Sequence, residues 1–134
     1  MYRYNPYSYI NKQLPVIEEF RDAKPKTIPE NCTVLIVEDN VSNYFLLVRL
    51  LNHLGIRCEW KTSGYEVVEF ADNLPQIHLI LMDIRLPYED GYGALKKIRQ
   101  SPRLKNTPIV AVTAEASVEQ INKARASGFD GFIA

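Results

Sequence analysis

His78-Leu79-Ile80-Leu81-Met82-Asp83-Ile84-Arg85-Leu86-Pro87 is an apolar run that ends on a single carboxylate and then breaks. A strand buried on both faces of a parallel sheet reads as such an uninterrupted run. The residue at its C-terminal end emerges at the rim where open α/β sheets bind ligands. Asp83 is therefore displayed at that rim. Pro87 stops the strand, and Glu89-Asp90-Gly91 supplies turn chemistry before the next helical pattern. An aspartate at a strand end is often only a turn-former. The weight comes from two further strand ends, Glu38-Asp39 earlier in the chain and Thr113-Ala114 later.

Working outward, the chain alternates strand and helix patterns. Thr33-Val34-Leu35-Ile36-Val37 is a β-branched apolar strand ending at Glu38-Asp39, after which Asn40 caps a helix carrying Val41, Tyr44, Phe45, Val48 and Leu51, with Gly55 as its stop. Ile56-Arg57-Cys58-Glu59-Trp60 alternates, as an edge strand would. Ser63 opens a second helix bearing Val67, Val68 and Phe70, closed near Asn73-Leu74-Pro75. After the strand ending at Asp83, a third helix runs from about Gly91 to Gln100, with Leu95 and Ile98 inward and Lys96, Lys97 and Arg99 outward as a solvated face. Pro108-Ile109-Val110-Ala111-Val112 delivers Thr113 to a strand end, and Ser117 with Gln120 resembles a capping box for a fourth helix that stops at Gly128. Gly131-Phe132-Ile133-Ala134 starts a fifth strand. Right-handed crossovers then give one parallel sheet with helices on both faces.

The 134 residues have room for one domain and a short extension. Sixteen basic residues balance 16 acidic ones without a basic block, so direct nucleic-acid binding is not expected. No apolar run reaches a membrane span, the amino terminus lacks a signal-peptide core, and a cytoplasmic location is expected. Cys32 and Cys58 then read as reduced core cysteines, and His53 and His78 as surface or helix-end histidines. Residues 1–30 differ from the rest. Tyr2, Tyr4, Tyr7 and Tyr9 crowd the start, Pro15, Pro25 and Pro29 interrupt the remainder of the segment, and only Val16–Phe20 offers a helical turn or two. The expected division is an arm or linker over 1–30 and a domain over 31–134.

If the strands ending at Glu38-Asp39, Asp83 and Thr113 lie side by side, the three carboxylates converge. Such a cluster needs a proton or a cation, and oxygen ligands with open geometry suit a hard ion, Mg²⁺ above all. A carboxylate beside such an ion can attack phosphorus to give an aspartyl phosphate. Asp83, on the central strand, is best placed to do so. The Thr113 hydroxyl and the Ala114 backbone N–H are candidates to hold phosphoryl oxygens.

These stretches resemble the receiver domains of two-component response regulators. The match lies in Val34-Leu35-Ile36-Val37-Glu38-Asp39-Asn40, Leu81-Met82-Asp83-Ile84-Arg85-Leu86-Pro87 with Asp90-Gly91, Ile109-Val110-Ala111-Val112-Thr113-Ala114, and Gly128-Phe129-Asp130-Gly131-Phe132-Ile133. Asn40 and Asn43 resemble the Glu-Asp-Asn-x-x-Asn opening of receivers attached to hybrid kinases.

The resemblance implies a flavodoxin-like doubly wound sheet of five parallel strands in the order 2-1-3-4-5. It implies that Asp83 accepts a phosphoryl group from a histidine kinase or histidine phosphotransfer protein. Asp39, Asp83 and the Arg85 carbonyl would bind Mg²⁺, with Glu38 acting through water. Thr113 and Phe132 would be the switch pair, and a downstream protein would read the face of the fourth helix and fifth strand. Such a domain is a signalling module that promotes its own phosphorylation and dephosphorylation. The family's lysine is expected just beyond Ala134, where the sequence stops, and the last helix of the fold is likewise absent from it.

Two other readings compete. A haloacid-dehalogenase-like phosphatase would need a second aspartate two positions after the nucleophile, where Arg85 stands. A pseudo-receiver that only binds partners, without being phosphorylated, is permitted by the missing lysine, but the intact acidic rim argues against it. An ion pair between Arg85 and Glu115 over the phosphoryl group is a further expectation.

Overall fold

The computed structural model describes residues 17–19, 31–86, 90–113 and 117–133. Its elements are β1 (Ile17–Glu19), β2 (Thr33–Val37), α1 (Val41–His53), β3 (Arg57–Lys61), α2 (Val67–Asp72), β4 (Leu79–Asp83), α3 (Gly91–Gln100), β5 (Ile109–Val112), α4 (Val118–Ser127) and β6 (Gly131–Ile133). The strands form one sheet in the order β1-β6-β5-β4-β2-β3. Its five parallel strands, counted along the chain from β2, give the order 2-1-3-4-5 expected from the sequence.

Strand alternation divides the core into two layers. Leu35, Val37, Ile80, Met82, Ile109, Ala111 and Phe132 point to one face and pack with Val67 and Ala71 of α2, Ala94, Leu95 and Ile98 of α3, and Ala124 of α4. Val34, Ile36 and Leu81 point to the other, where Tyr44, Leu47, Val48 and Leu51 of α1 meet them. On this second face Phe45, Leu46, Leu50 and Leu54 remain exposed.

Capping chemistry sets three of the helix starts. The side chains of Asn40, Asp90 and Ser117 accept the backbone N–H of Asn43, Gly93 and Gln120 respectively. Gly128 closes α4 with φ +105, a conformation that favours glycine.

Several expectations need correction. The segment read as a helical turn is the strand β1, paired antiparallel with β6. Only a partner distant in sequence makes three residues a strand. α2 begins after Glu66, not at Ser63, because Val67 and Ala71 are the positions that enter the core. Residues 63–66 are taken up by a turn closed by Val67 N–H on the Gly64 carbonyl. Arg99 is no solvated side chain. It donates to the carbonyls of Lys105, Thr107 and Gly128 and pairs with Asp130 at 2.7 Å, tying α3 to the connections flanking β5 and β6. His78 accepts the Thr33 N–H on Nδ1 at 3.0 Å and so joins the bases of β4 and β2. Cys32 and Cys58 are free thiols, the first buried and the second half-buried. Tyr2, Tyr4, Tyr7, Tyr9, Pro87, Ala114, Glu115 and Ala134 lie outside the described residues.

Candidate phosphoacceptor and metal site

Register brings the site together. Val37 lies opposite Met82, so Glu38 and Asp39 leave β2 beside the end of β4, and Asp83 lies opposite Val112, one residue before Thr113. The carboxylates of Glu38, Asp39 and Asp83 each offer an oxygen, and these oxygens lie within 4.8 Å of one another.

The three carboxylates are held in different ways. Glu38, 1% exposed, accepts the Asn43 side-chain amide at 2.9 Å and the Asn40 backbone N–H at 3.3 Å on Oε1. Its backbone N–H reaches the Lys61 carbonyl, and its own carbonyl accepts Trp60 Nε1 at 2.7 Å. Trp60 in turn stacks on Tyr44, ring centroids 4.0 Å apart. Asp39 is exposed and Asp83 half-buried. Asp83 Oδ1 accepts the Arg85 backbone N–H at 2.9 Å.

Burial pushes the Asp83 carboxyl up to about 7, helped by a hydrogen bond and negative charge from Glu38 and by the charge of Asp39, and opposed by the Arg85 N–H. A carboxyl under this stress ionises fully when a cation arrives. The donor set therefore fits a hard divalent ion: carboxylate oxygens only, one of them exposed, on fixed backbone. Thr113 is half-buried at the end of β5, and its N–H donates to the Ile133 carbonyl at 3.0 Å. Arg85 is exposed, and the Phe132 side chain lies in the core.

Two contributions to the site had no plain signal in the sequence. Trp60 enters the sequence pattern only as the end of an alternating edge strand, yet its indole N–H holds the backbone of the acidic pair. Gly91 reads as a turn residue, yet its missing side chain is what lets α3 start against the Asp83 carbonyl. Only the Asp90-Gly91 pair immediately before a helical pattern hints at it.

Residues 34–134 match the family model of the response regulator receiver domain. The chain is 37% identical over 124 residues to the signal transduction histidine-protein kinase BarA of Escherichia coli, covering 92% of this chain and 12% of that protein. That aligned stretch is longer than residues 34–134 and takes in Ile17–Glu19. It is 39% identical over 113 residues to hybrid signal transduction histidine kinase G of Dictyostelium discoideum, covering 82% of this chain and 3% of that protein. The chain thus spans a small fraction of the length of these relatives. Among solved structures, the magnesium-bound receiver domain of sensor histidine kinase PA1611 from Pseudomonas aeruginosa is similar with TM-score 0.70 and 33% identity, over 78% of this chain and 84% of that one. Chemotaxis protein CheY4 of Vibrio cholerae is similar with TM-score 0.68 and 28% identity, over 75% of this chain and 83% of that one. The chain belongs to the response regulator receiver domain family of two-component systems, a family of signalling domains with the flavodoxin-like fold. No helix among the described residues is long and apolar enough to cross a membrane.

Proposed function

We propose that residues 31–134 are a phosphoacceptor receiver domain, with 1–30 as its arm, and that Asp83 takes a phosphoryl group from a phosphohistidine. The observation that carries this reading is the Glu38–Asp39–Asp83 oxygen cluster beside Thr113. Asp39 and Asp83, with the Arg85 carbonyl, would hold Mg²⁺, and Glu38 would assist through water. The ion supplies positive charge against the phosphoryl oxygens and the acidic cluster.

This chain's residues do the rest. The Arg85 N–H fixes Oδ1 of Asp83, leaving the other oxygen for attack on phosphorus while the bond to the donor's histidine nitrogen breaks and that nitrogen keeps the electron pair. Asn43 and Asn40 hold Glu38 in place, so the negative charge around Asp83 is set before the donor docks. Phosphorylation raises the charge on Asp83 to roughly −2 and adds acceptor oxygens that draw the Thr113 hydroxyl and the Ala114 N–H inward. Phe132, expected to turn in on phosphorylation, already has its ring in the core, so the change at the surface of α4 and β6 for a downstream protein starts from the inward movement of Thr113, whose N–H is bonded to the Ile133 carbonyl. The donor is a histidine kinase or histidine phosphotransfer protein. The domain promotes its own phosphorylation and dephosphorylation.

The test is incubation with acetyl phosphate, with and without Mg²⁺, read by intact mass. A single phosphate adduct is expected on the parent with Mg²⁺ and none on Asp83→Asn. An adduct of equal yield on the variant would overturn the assignment.

A further inference from the structure

The arm contributes one element to the sheet. Ile17, Glu18 and Glu19 lie opposite Ile133, Phe132 and Gly131, so β1 closes the outer edge of β6. An open edge strand is a template for pairing with another chain.

The direction of the backbone groups makes this pairing specific. Thr113 donates its N–H to the Ile133 carbonyl, so Ile133 turns its polar backbone groups toward β5. Successive residues of a strand alternate in this respect, and Phe132 therefore turns its N–H and C=O outward, where Glu18 stands directly opposite. The Phe132 side chain is meanwhile 1% exposed within the core packed by α2, α3 and α4. One residue is thus held by the domain through its ring and by the arm through its backbone.

Chain geometry favours an arm acting on its own domain. β1 runs antiparallel to β6, which leaves its last residue beside Gly131, at the rim where β2 begins. Four strand spacings separate β1 from β2, about 19 Å at roughly 4.8 Å each. The residues between Glu19 and Thr33 reach roughly 40 Å when extended, so the connection closes within one molecule. The similarity to BarA includes these arm residues as well as the domain.

We propose that the outer edge of β6 is a strand-docking site that the chain's own Ile17–Glu19 fills in cis, and that phosphorylation of Asp83 releases this strand. This rests on the phosphoacceptor reading given above. A strand of three residues is marginal and depends on the register of its partner. Inward movement of Thr113 pulls on the Ile133 carbonyl and so tilts the adjoining Phe132 N–H and C=O offered to Glu18. Release exposes a β edge that an extended partner segment can add to.

The experiment is amide hydrogen exchange resolved by residue in the full chain, in the parent and in Glu18→Pro, which removes the arm's central N–H. Phe132 exchange should be slow in the parent and at least about tenfold faster in Glu18→Pro, while Val110 and Ala111 are unchanged. Equal Phe132 exchange in the two proteins would overturn the docking site. Protection that falls on dilution would show that the strand comes from a second copy, which also overturns occupancy in cis. Mg²⁺ with beryllium fluoride should speed Phe132 exchange in the parent and leave Asp83→Asn unchanged. The fluorine NMR spectrum reports loading independently. Loading without faster exchange overturns release alone, whereas failure to load overturns the phosphoacceptor reading and release with it.

Discussion

Gly91 lies so close to Asp83 that a Cβ on it would stand 2.6 Å from the Asp83 carbonyl oxygen and 2.8 Å from the Ile84 Cα. Both obstacles are backbone, and the Gly91 N–H bonds the Ile84 carbonyl at 2.8 Å, so neither side can yield without displacing the end of β4. Gly91→Ala should therefore destabilise the fold by about 1–3 kcal/mol and shift Asp83 as well. Urea unfolding gives the first effect, and a reduced yield of acetyl-phosphate labelling in the folded fraction gives the second.

Asn43→Ala should destabilise by about 1–3 kcal/mol, because it removes the amide that bonds the almost fully buried Glu38 carboxylate. Asn43→Asp, which swaps that donor for a second carboxylate, should cost at least as much near neutral pH. Equal unfolding midpoints for parent and Asn43→Ala would mean that Asn40 alone suffices to hold Glu38.

Stability should fall as pH rises through the range set by Asp83. Its folded carboxyl holds a proton up to about 7 because of burial and its acidic neighbours, against 3.8 for an ordinary aspartate. Between these values the folded state binds more protons than the unfolded state, so raising the pH favours unfolding. Asp83→Asn should accordingly be more stable than the parent near about pH 8, with the advantage gone near about pH 4. Denaturant midpoints in the presence of a chelator measure this difference. A constant offset across that range would contradict the assigned origin.

The chain's single tryptophan offers a probe of the site. Trp60 Nε1 bonds the carbonyl of Glu38, next to Asp39, so Mg²⁺ binding should alter its emission and a chelator should restore it. Asp39→Asn should weaken the apparent Mg²⁺ affinity by at least about tenfold. An unchanged titration curve in that variant would remove Asp39 from the donor set.

What was legible in the sequence is local chemistry. The strand ending at Asp83 and the helix from Gly91 to Gln100 are marked by a continuous apolar run, a proline, and an Asp-Gly pair whose aspartate caps the helix. Thr33–Val37 is marked in the same way by its β-branched residues and the acidic pair after it. β1 was not legible, since Ile17-Glu18-Glu19 has no period of its own and becomes a strand only against a partner over a hundred residues away. Ser63 is a good cap by type, whereas burial of Val67 and Ala71 puts the start of α2 after Glu66. Arg99 looked solvated for a similar reason. Helical spacing gives its direction from the helix but not the carbonyls and the Asp130 carboxylate that come to meet it.

In the proposed function the phosphoryl group is carried by Asp83 and by neither acidic neighbour. Borohydride reduction of an aspartyl phosphate leaves homoserine in its place. Applied after Mg²⁺-dependent reaction with acetyl phosphate and read by tandem mass spectrometry of the peptides, it should place homoserine at position 83 alone. Homoserine at position 39, or an adduct that survives on a serine or histidine, would contradict the account.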